Sequence, residues 1–537
     1  MWCIKMVNYK VCILAAGVGS RMGALSEHVN KAILPINSKA VISHIIEKFP
    51  EEVEIVIAVG HKKETIIDYL GLAHPERKIT YVEVDRYMGP GTGPGYSILQ
   101  CKKSLNCPFV LSAVDTILLE KIPEPAENWM GIAPVKETEP YCTVRIKNNL
   151  IYGLDDKIKC DNKFAFIGVA GIRDYEDFFE GLEKDRELKG GEIQVSNGFS
   201  KLIEKKIIPV GVTWFDTGSL NTYKETNESF SGSNKKFDLS KGNEFLFFVN
   251  GRVIKFFADA NIIKNRMERV RYLSPHCPEI EAYKSNFYSY KKVEGQILYD
   301  LLNRQIIKDF FHWLKFDLWK EKKIEGESLL NFKASCKKFY YDKTIDRIKQ
   351  FYKQTSIEDD LNIINGTQIP SLNEMLEKID WEYLSNGTPV NFHGDLQFDN
   401  VLVTRGSASH LPKFILLDWR QDFAGIIEYG DIYYDLSKLY SGMILQYPLI
   451  RENKFAFDMS GKSIYYNFEI KNDILEIKEE FEDFLKKNNF DFIKIKVITA
   501  LIFLNMTPLL KDPFNLMLYF LGKSRLYYAL KEMGVYN

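Results

Sequence analysis

The chain has 537 residues, enough for roughly two to four domains that each bury a core. Its 71 Lys and Arg balance 72 Asp and Glu, and 45% hydrophobic residues is an ordinary globular composition, somewhat rich in Tyr and Phe. A net charge of -1 supplies neither a basic stripe for nucleic acid nor a polybasic face for an acidic membrane, so small molecules are the expected partners.

Eight cysteines (Cys3, Cys12, Cys101, Cys107, Cys142, Cys160, Cys277 and Cys336) are scattered, with no CxxC pair and no Cys/His cluster at zinc spacing; reduced structural thiols are expected. No basic-then-apolar signal peptide opens the chain. The longest apolar run, VITALIFLNMTPLL from Val497, reads as too short for a span and is broken by Asn505 and Thr507. A cytoplasmic protein without membrane insertion is expected; the oligomeric state is not legible.

From about 10 to 225, short β-rich runs alternate with helical patterns: VCILAA, VISHIIEKF, EIVIAVG, KKETIIDYL, ITYVEV, GYSILQCKKSL and FVLSAVD. That alternation predicts an α/β domain over 1–226 with parallel strands and covering helices. NESFSGSNKKFDLSKGN, polar and glycine-dotted, reads as a linker over 227–243. FLFFVNGRVIKFFAD follows, two β runs joined by Asn250-Gly251, a strong hairpin signal. With the amphipathic ANIIKNRMERVRYL and the strand-like FYSYKKVEG it makes a small lobe over 244–296. The rest, 297–537, is mostly helical with strands NVLVT and FILLDW, and FAFDMSGKSIYYNFEI reads as an inserted hairpin.

The first chemistry-bearing stretch is VCILAAGVGSRMG. A glycine turn after an apolar strand lets backbone N–H groups approach a phosphate, and Gly17 and Gly19, with Ser20, supply that geometry. Arg21 in the loop and Lys31 in NKAILPI, ten residues on, add two cations suited to a triphosphate whose α-phosphorus accepts a nucleophile while pyrophosphate leaves. The stretch AAGVGSRMG…NKAILPI resembles the signature of sugar-phosphate nucleotidyltransferases, with Asn30 where that family has proline. The resemblance extends to GPGTGPGYSIL, VLSAVDTIL, GGEIQVSN and TWFDTGSLNTY in the same order. It implies a Rossmann-like mixed-sheet domain, nucleobase packing at Gly91, Thr92 and Gly93, Mg²⁺ on Asp115 and Asp216, and substrate contacts from Glu192 and Asn197. A phosphomonoester is already a competent nucleophile, so no general base is expected, and CTP or UTP is the implied nucleotide.

The second stretch is NFHGDLQFDNVLV. Phosphoryl transfer from ATP needs a carboxylate to orient and deprotonate a hydroxyl and oxygen ligands for Mg²⁺. Asp395 fits the first role; Asn400, five residues on, and Asp418 in FILLDWR fit the second. Lys255 in GRVIKFF is placed to reach the α and β phosphates, with Glu268 as its partner. His393 reads as loop support, and Asp431 and Asp435 in GDIYYDLSKL as structural. The constellation resembles the aminoglycoside phosphotransferase and choline kinase family, relatives of the protein kinases, which implies a bilobal phosphotransferase domain. Two GKS tripeptides, at Gly461 and Gly522, lack the glycine a Walker loop requires.

The two reactions can be written in series: a kinase makes a phosphomonoester that then attacks a nucleoside triphosphate. The expected product is a nucleotide-activated sugar or polyol for a surface glycan, capsule or cell wall. The alternatives are a choline kinase joined to a phosphocholine cytidylyltransferase making CDP-choline, or a chain in which one half is a regulatory or binding module.

Overall fold

The computed structural model describes residues 9–231, 242–405 and 412–536. Cys3 and most of the expected linker, 232–241, lie outside the described residues. The expected linker start, 227–231, is the end of the helix Leu220–Ser231. Among the described residues two compact units form: 9–231 with 242–258 and 282–289, and 259–281 with 290–405 and 412–536.

The first unit is built on a mixed sheet. The apolar strand Lys10–Ala15 lies between Glu54–Val59 and Phe109–Ala113, parallel to both, and Ile79–Glu83 extends the parallel part. Phe164–Ile172 then runs antiparallel to Phe109–Ala113 and carries Trp129–Pro134 and Cys142–Lys147. Strands buried on both faces need apolar residues on both, and Val11, Cys12 and Ile13 are all fully buried. Helices on the two faces complete an α/β architecture in which the carboxyl end of the central strand opens at a switch in strand order.

The hairpin Glu244–Val249 and Arg252–Phe257 turns at Asn250 and Gly251, both at positive φ (48° and 70°), as an Asn-Gly hairpin turn requires. The sequence reading starts a second domain here, but the hairpin packs with the first unit. Phe247, Val249, Ile254, Phe256 and Phe287 are buried in the same core as Tyr69, whose ring centroid is 4.9 Å from that of Phe247. The Phe248 N–H donates to Ser38 O at 2.7 Å, and Asn250 Nδ2 to Ala73 O at 3.1 Å. A two-stranded hairpin is marginal alone, so its apolar face needs a partner surface.

The second unit is mostly helical. Phe492–Met506, Phe514–Glu532 and Ile432–Ile444 form its apolar centre. The run expected to break at Asn505 is helical through Met506. Phe492–Leu509 is, by length and composition, the one segment among the described residues able to cross a membrane, and 72% of it is buried in the fold. The inserted hairpin forms as Phe455–Ser460 and Ser463–Phe468, and a second hairpin, Asn362–Ile364 and Thr367–Ile369, joins it in one four-stranded sheet.

Candidate active site

Residues leaving the strand Lys10–Ala15 enter the crevice at the switch in strand order, so Gly17 and Gly19 fall where open α/β sheets bind ligands. Gly19 has φ 71°, and a Cβ built on it would stand 3.5 Å from Lys31 Cβ. Ser20 and Arg21 open the short helix Ser20–Ser26, both exposed. Asn30 is buried behind them. Its Nδ2 donates to Ala15 O at 3.1 Å and His61 O at 2.8 Å, and its Oδ1 accepts the Ala32 N–H at 2.9 Å, capping the turn Lys31–Ile33. Sequence reading saw here only a departure from proline; the structure makes Asn30 the clamp that positions Lys31.

Lys31 Nζ meets Asp115 Oδ2 at 2.6 Å. Asp216 arrives by strand register: Trp214–Asp216 pairs antiparallel with Thr116–Leu118, Asp216 opposite Thr116, and the Thr217 N–H donates to Asp115 O at 2.9 Å. Gly218 marks the point of convergence. A Cβ there would stand 3.0 Å from Asp216 Oδ1, 3.2 Å from Asp115 Oδ2 and 3.5 Å from Arg21 Nη2. Two carboxylates and two cations from separate segments therefore surround one small volume.

Burial pushes the Asp115 carboxyl up, but the charge and hydrogen bond of Lys31, with Arg21, outweigh it and hold the group below its ordinary value. Burial pushes Asp216 up, and the Asp115 charge adds to the shift. Two hard oxygen ligands beside each other suit Mg²⁺, which is commonly held by one or two carboxylates and completed by phosphate and water. No three His, Cys, Asp or Glu side chains gather at ligand spacing among the described residues.

Gly91 and Gly93 take φ 78° and 112° in the second glycine loop. This loop is knitted to the segment carrying Glu192: the Gly91 N–H donates to Gly191 O at 2.9 Å and the Ile193 N–H to Thr92 O at 2.8 Å. A Cβ on Gly93 would stand 2.7 Å from Glu192 Cβ, so glycine is required by close approach. Thr92 is buried and its hydroxyl donates to Gly89 O at 2.7 Å, a brace within the loop. Glu192 accepts from Gln194 Nε2 at 3.0 Å and has Lys157 Nζ at 3.8 Å. Asn197 departs from its expected substrate contact. Fully buried at the start of the helix Ser196–Leu202, it spends its Nδ2 on Asp185 O at 3.1 Å and Glu187 O at 3.0 Å, which holds the loop.

A second cluster lies in the second unit. Val401–Arg405 pairs with Pro412–Leu416, Val401 opposite Leu416, so Asn400 and Asp418 emerge at one end of the ladder. The Leu417 N–H donates to Asn400 O at 2.8 Å, and Asn400 Nδ2 donates to Asp395 O at 2.9 Å and to its Oδ2 at 3.3 Å. Asp418 holds φ 56°, in the left-handed region that is uncommon for non-glycine residues, though less so for Asp and Asn. Arg266 Nη1 stands 3.4 Å from Asp418 Oδ1, and Lys438 Nζ 2.6 Å from Asp395 Oδ1.

The loop bearing Asp395 is braced from beneath. Asp435 accepts the N–H groups of His393 and Gly394, each at 2.7 Å, which is the structural role expected of it. His393 Nε2 bonds Leu417 O at 2.7 Å and its Nδ1 accepts the Asp395 N–H at 3.2 Å. Burial pushes His393 down to about 4, so it stays neutral. Glu268 departs from its expected role: it is exposed and forms no ion pair among the described residues, because its helix turns Arg266 and Arg269 inward. Lys255 is buried on the strand Arg252–Phe257 of the first unit, opposite Leu246.

Arg266 and Lys438 were missed from the sequence. Lys438 had a usable signal, since Asp431, Asp435 and Lys438 follow i, i+4, i+7 spacing on one helix face. Arg266 had none.

The class of the first unit follows from these features and from comparison with known families: residues 11–122 match the MobA-like NTP transferase domain, and the N-terminal part of the chain is an NTP transferase domain. Among curated proteins, the bifunctional protein GlmU of Methanococcus vannielii is 32% identical over 219 residues, 38% of this chain and 51% of that protein. The choline-phosphate cytidylyltransferase of Streptococcus pneumoniae is 31% identical over 109 residues, 19% of this chain and 44% of that protein. The chain thus spans about half the length of the curated relatives it matches. A solved UDP-glucose pyrophosphorylase complexed with UDP-glucose is 20% identical, covering 42% of this chain and 98% of that one at a TM-score of 0.37.

Proposed function

We propose that the chain is bifunctional: its first unit transfers a nucleotidyl group from a nucleoside triphosphate to a phosphomonoester, and its second unit makes that phosphomonoester from a hydroxyl compound and ATP. The observation that carries the first half is the convergence of Arg21, Lys31, Asp115 and Asp216 about Gly218. A phosphate oxygen of the acceptor attacks the α-phosphorus, the bond from that phosphorus to the bridging oxygen breaks, and pyrophosphate leaves. The barrier is repulsion between two anions, which Arg21 and Lys31 offset from fixed positions. Mg²⁺ held by Asp115 and Asp216 would add charge neutralisation at the α-phosphate.

The second half rests on Asp395, Asn400 and Asp418 at one end of a two-stranded ladder. Asp395 accepts the acceptor's hydroxyl proton as its oxygen attacks the γ-phosphorus and ADP departs. Asn400 and Asp418 are the oxygen ligands available for Mg²⁺ there. A sugar or polyol is the acceptor this reading favours, with CTP or UTP as the nucleotide of the first unit. The likeness to a choline-phosphate cytidylyltransferase supports a second reading, choline taken to CDP-choline.

The test is a panel on the intact protein: MgATP with each nucleoside triphosphate and with sugars, polyols, choline and ethanolamine, products identified by mass. A nucleoside diphosphate-linked product formed only when ATP and acceptor are both present is the expected result. Pyrophosphate release with no acceptor-derived product would remove the serial scheme.

A further inference from the structure

Four cations gather around Lys343 and Arg420 near the loop of Asp395. Lys343 and Arg347 are one turn apart on the helix Lys343–Thr355. Arg420 lies against the loop of Asp395, its N–H donating to His393 O at 3.0 Å, and a Cβ on Gly394 would stand 2.5 Å from Arg420 Cβ. Lys343 Nζ and Arg420 Cζ lie 4.2 and 4.8 Å from the centroid of the same ring, Phe339. Lys438 completes the group from the helix Ile432–Ile444, 2.6 Å from Asp395 Oδ1.

Lys438 is matched by Asp395; the other three cations are not matched. Among the described residues no carboxylate lies within ion-pairing distance of Lys343, Arg347 or Arg420, and Arg420 Nε is buried without a hydrogen-bond partner. Burial pushes the Lys343 ammonium well below its ordinary value, and the charges of Arg420, Lys438 and Arg347 push it further, with Asp395 opposing. Arg347 is pushed down by burial and then by Arg420. Like charges held this close cost free energy that an incoming anion relieves, and a site that binds by charge needs such an imbalance before its ligand arrives.

We propose that the hydroxyl compound phosphorylated in the second unit carries its own anionic group, a carboxylate or a phosphate, seated on Lys343, Arg347 and Arg420 while its hydroxyl faces Asp395. This rests on the phosphotransfer reading of the Asp395 cluster and narrows its substrate class. In the reaction the hydroxyl oxygen bonds the γ-phosphorus of ATP, the bond from that phosphorus to the β,γ-bridging oxygen breaks, the hydroxyl proton passes to Asp395 and ADP leaves. The cluster repels a quaternary ammonium acceptor, which sets the proposal against choline.

The test pairs neutral and acidic compounds of one skeleton on the full chain with MgATP: glycerol with glycerate, glucose with glucuronate and with glucose 6-phosphate, and choline as the cationic arm, following ADP. The acidic member of at least one pair is expected to exceed its neutral partner by about a hundredfold in kcat/KM, the range of two charge-assisted hydrogen bonds. Carboxylate and phosphate arms separate the two sources of anion. Arg347→Met and, independently, Lys343→Met keep the apolar stems and are expected to raise KM for the acidic acceptor about tenfold each with KM for ATP unchanged.

Preference for choline or for the neutral members overturns the proposal. So does a rise in KM for ATP in place of the acceptor, which would assign the cations to the nucleotide. Thermal shifts with the same compounds keep the two readings apart. Stabilisation by acidic probes that Arg347→Met abolishes, without turnover of any compound, keeps the anion site and ends the kinase reading. Neither turnover nor stabilisation with any acidic probe ends the anion site.

Discussion

The first unit assembles its charged cluster from distant segments, whereas the second draws Asp395, Asn400 and Asp418 from one short stretch. Asp115 and Asp216 meet only because Trp214–Asp216 pairs with Thr116–Leu118 in the observed register, and Lys31 reaches Asp115 only because Asn30 caps its turn. The second cluster needs one local ladder, and long-range contacts serve to brace it, through Asp435 beneath the loop and Lys438 on Asp395. Charge balance differs too: two carboxylates face two cations in the first cluster, whereas in the second Arg266 stands by Asp418 and Lys438 by Asp395 while Lys343, Arg347 and Arg420 add three cations with no carboxylate within ion-pairing distance among the described residues. A balanced site suits two anions that must be brought together, and an unbalanced one suits an anion still to come.

The sharpest way to break this comparison is to remove one acid from each cluster. Asp395→Asn should lower ATP-dependent phosphorylation by up to about 10⁴-fold, the range for losing a positioned base, while leaving pyrophosphate release from supplied phosphomonoester intact. Asp115→Asn should lower pyrophosphate release by about 10³-fold and spare ADP formation. If either variant lost both activities while its melting curve stayed unchanged, the two clusters would not be independent centres.

A finer test addresses convergence at Gly218. Gly218→Ala inserts a methyl group where the carboxylates of Asp115 and Asp216 come within 3.2 Å, and misplacement on that scale should cost about 10²-fold in pyrophosphate release. An alanine enzyme at full rate would mean that the reacting groups do not use this volume.

The smallest effect concerns the brace in the second unit. His393 is buried and neutral with a folded value near 4, below its ordinary 6.5. Its contribution to stability is therefore complete above pH 6.5 and is lost as pH falls toward 4, by about 3 kcal/mol at 1.36 kcal/mol per unit. Denaturant unfolding of the wild type across this window, compared with His393→Gln, measures it. A variant with the same acid slope would place the sensitivity elsewhere.

Much of the first unit's α/β pattern was legible because buried parallel strands must be apolar runs and their covering helices must be amphipathic, as in EIVIAVG followed by KKETIIDYL. The Asn250-Gly251 hairpin was equally legible, since its turn demands two residues tolerant of positive φ. Where that hairpin packs was not: its apolar residues state that a surface is needed, not which one, and Tyr69 supplied it. Asn197 and Glu268 carried motif-like positions, but burial turned one inward and helix phase turned the other outward.

The amino-acid sequence by itself determined the chemical inventory: a glycine turn with two nearby cations, aspartates at strand ends, and a short loop holding an acid and an amide. These are local properties, set by residue type and by spacing of a few positions. Tertiary structure alone decided which of those groups meet, through the register that sets Asp216 beside Asp115, the cap by Asn30 that aims Lys31, and the packing that brings Lys343, Arg347 and Lys438, on two helices, toward the loop residues Arg420 and Asp395. The physical reason is that charge and hydrogen-bond energies depend on distances of a few ångströms, and contacts between distant segments are set by the packing of whole strands and helices.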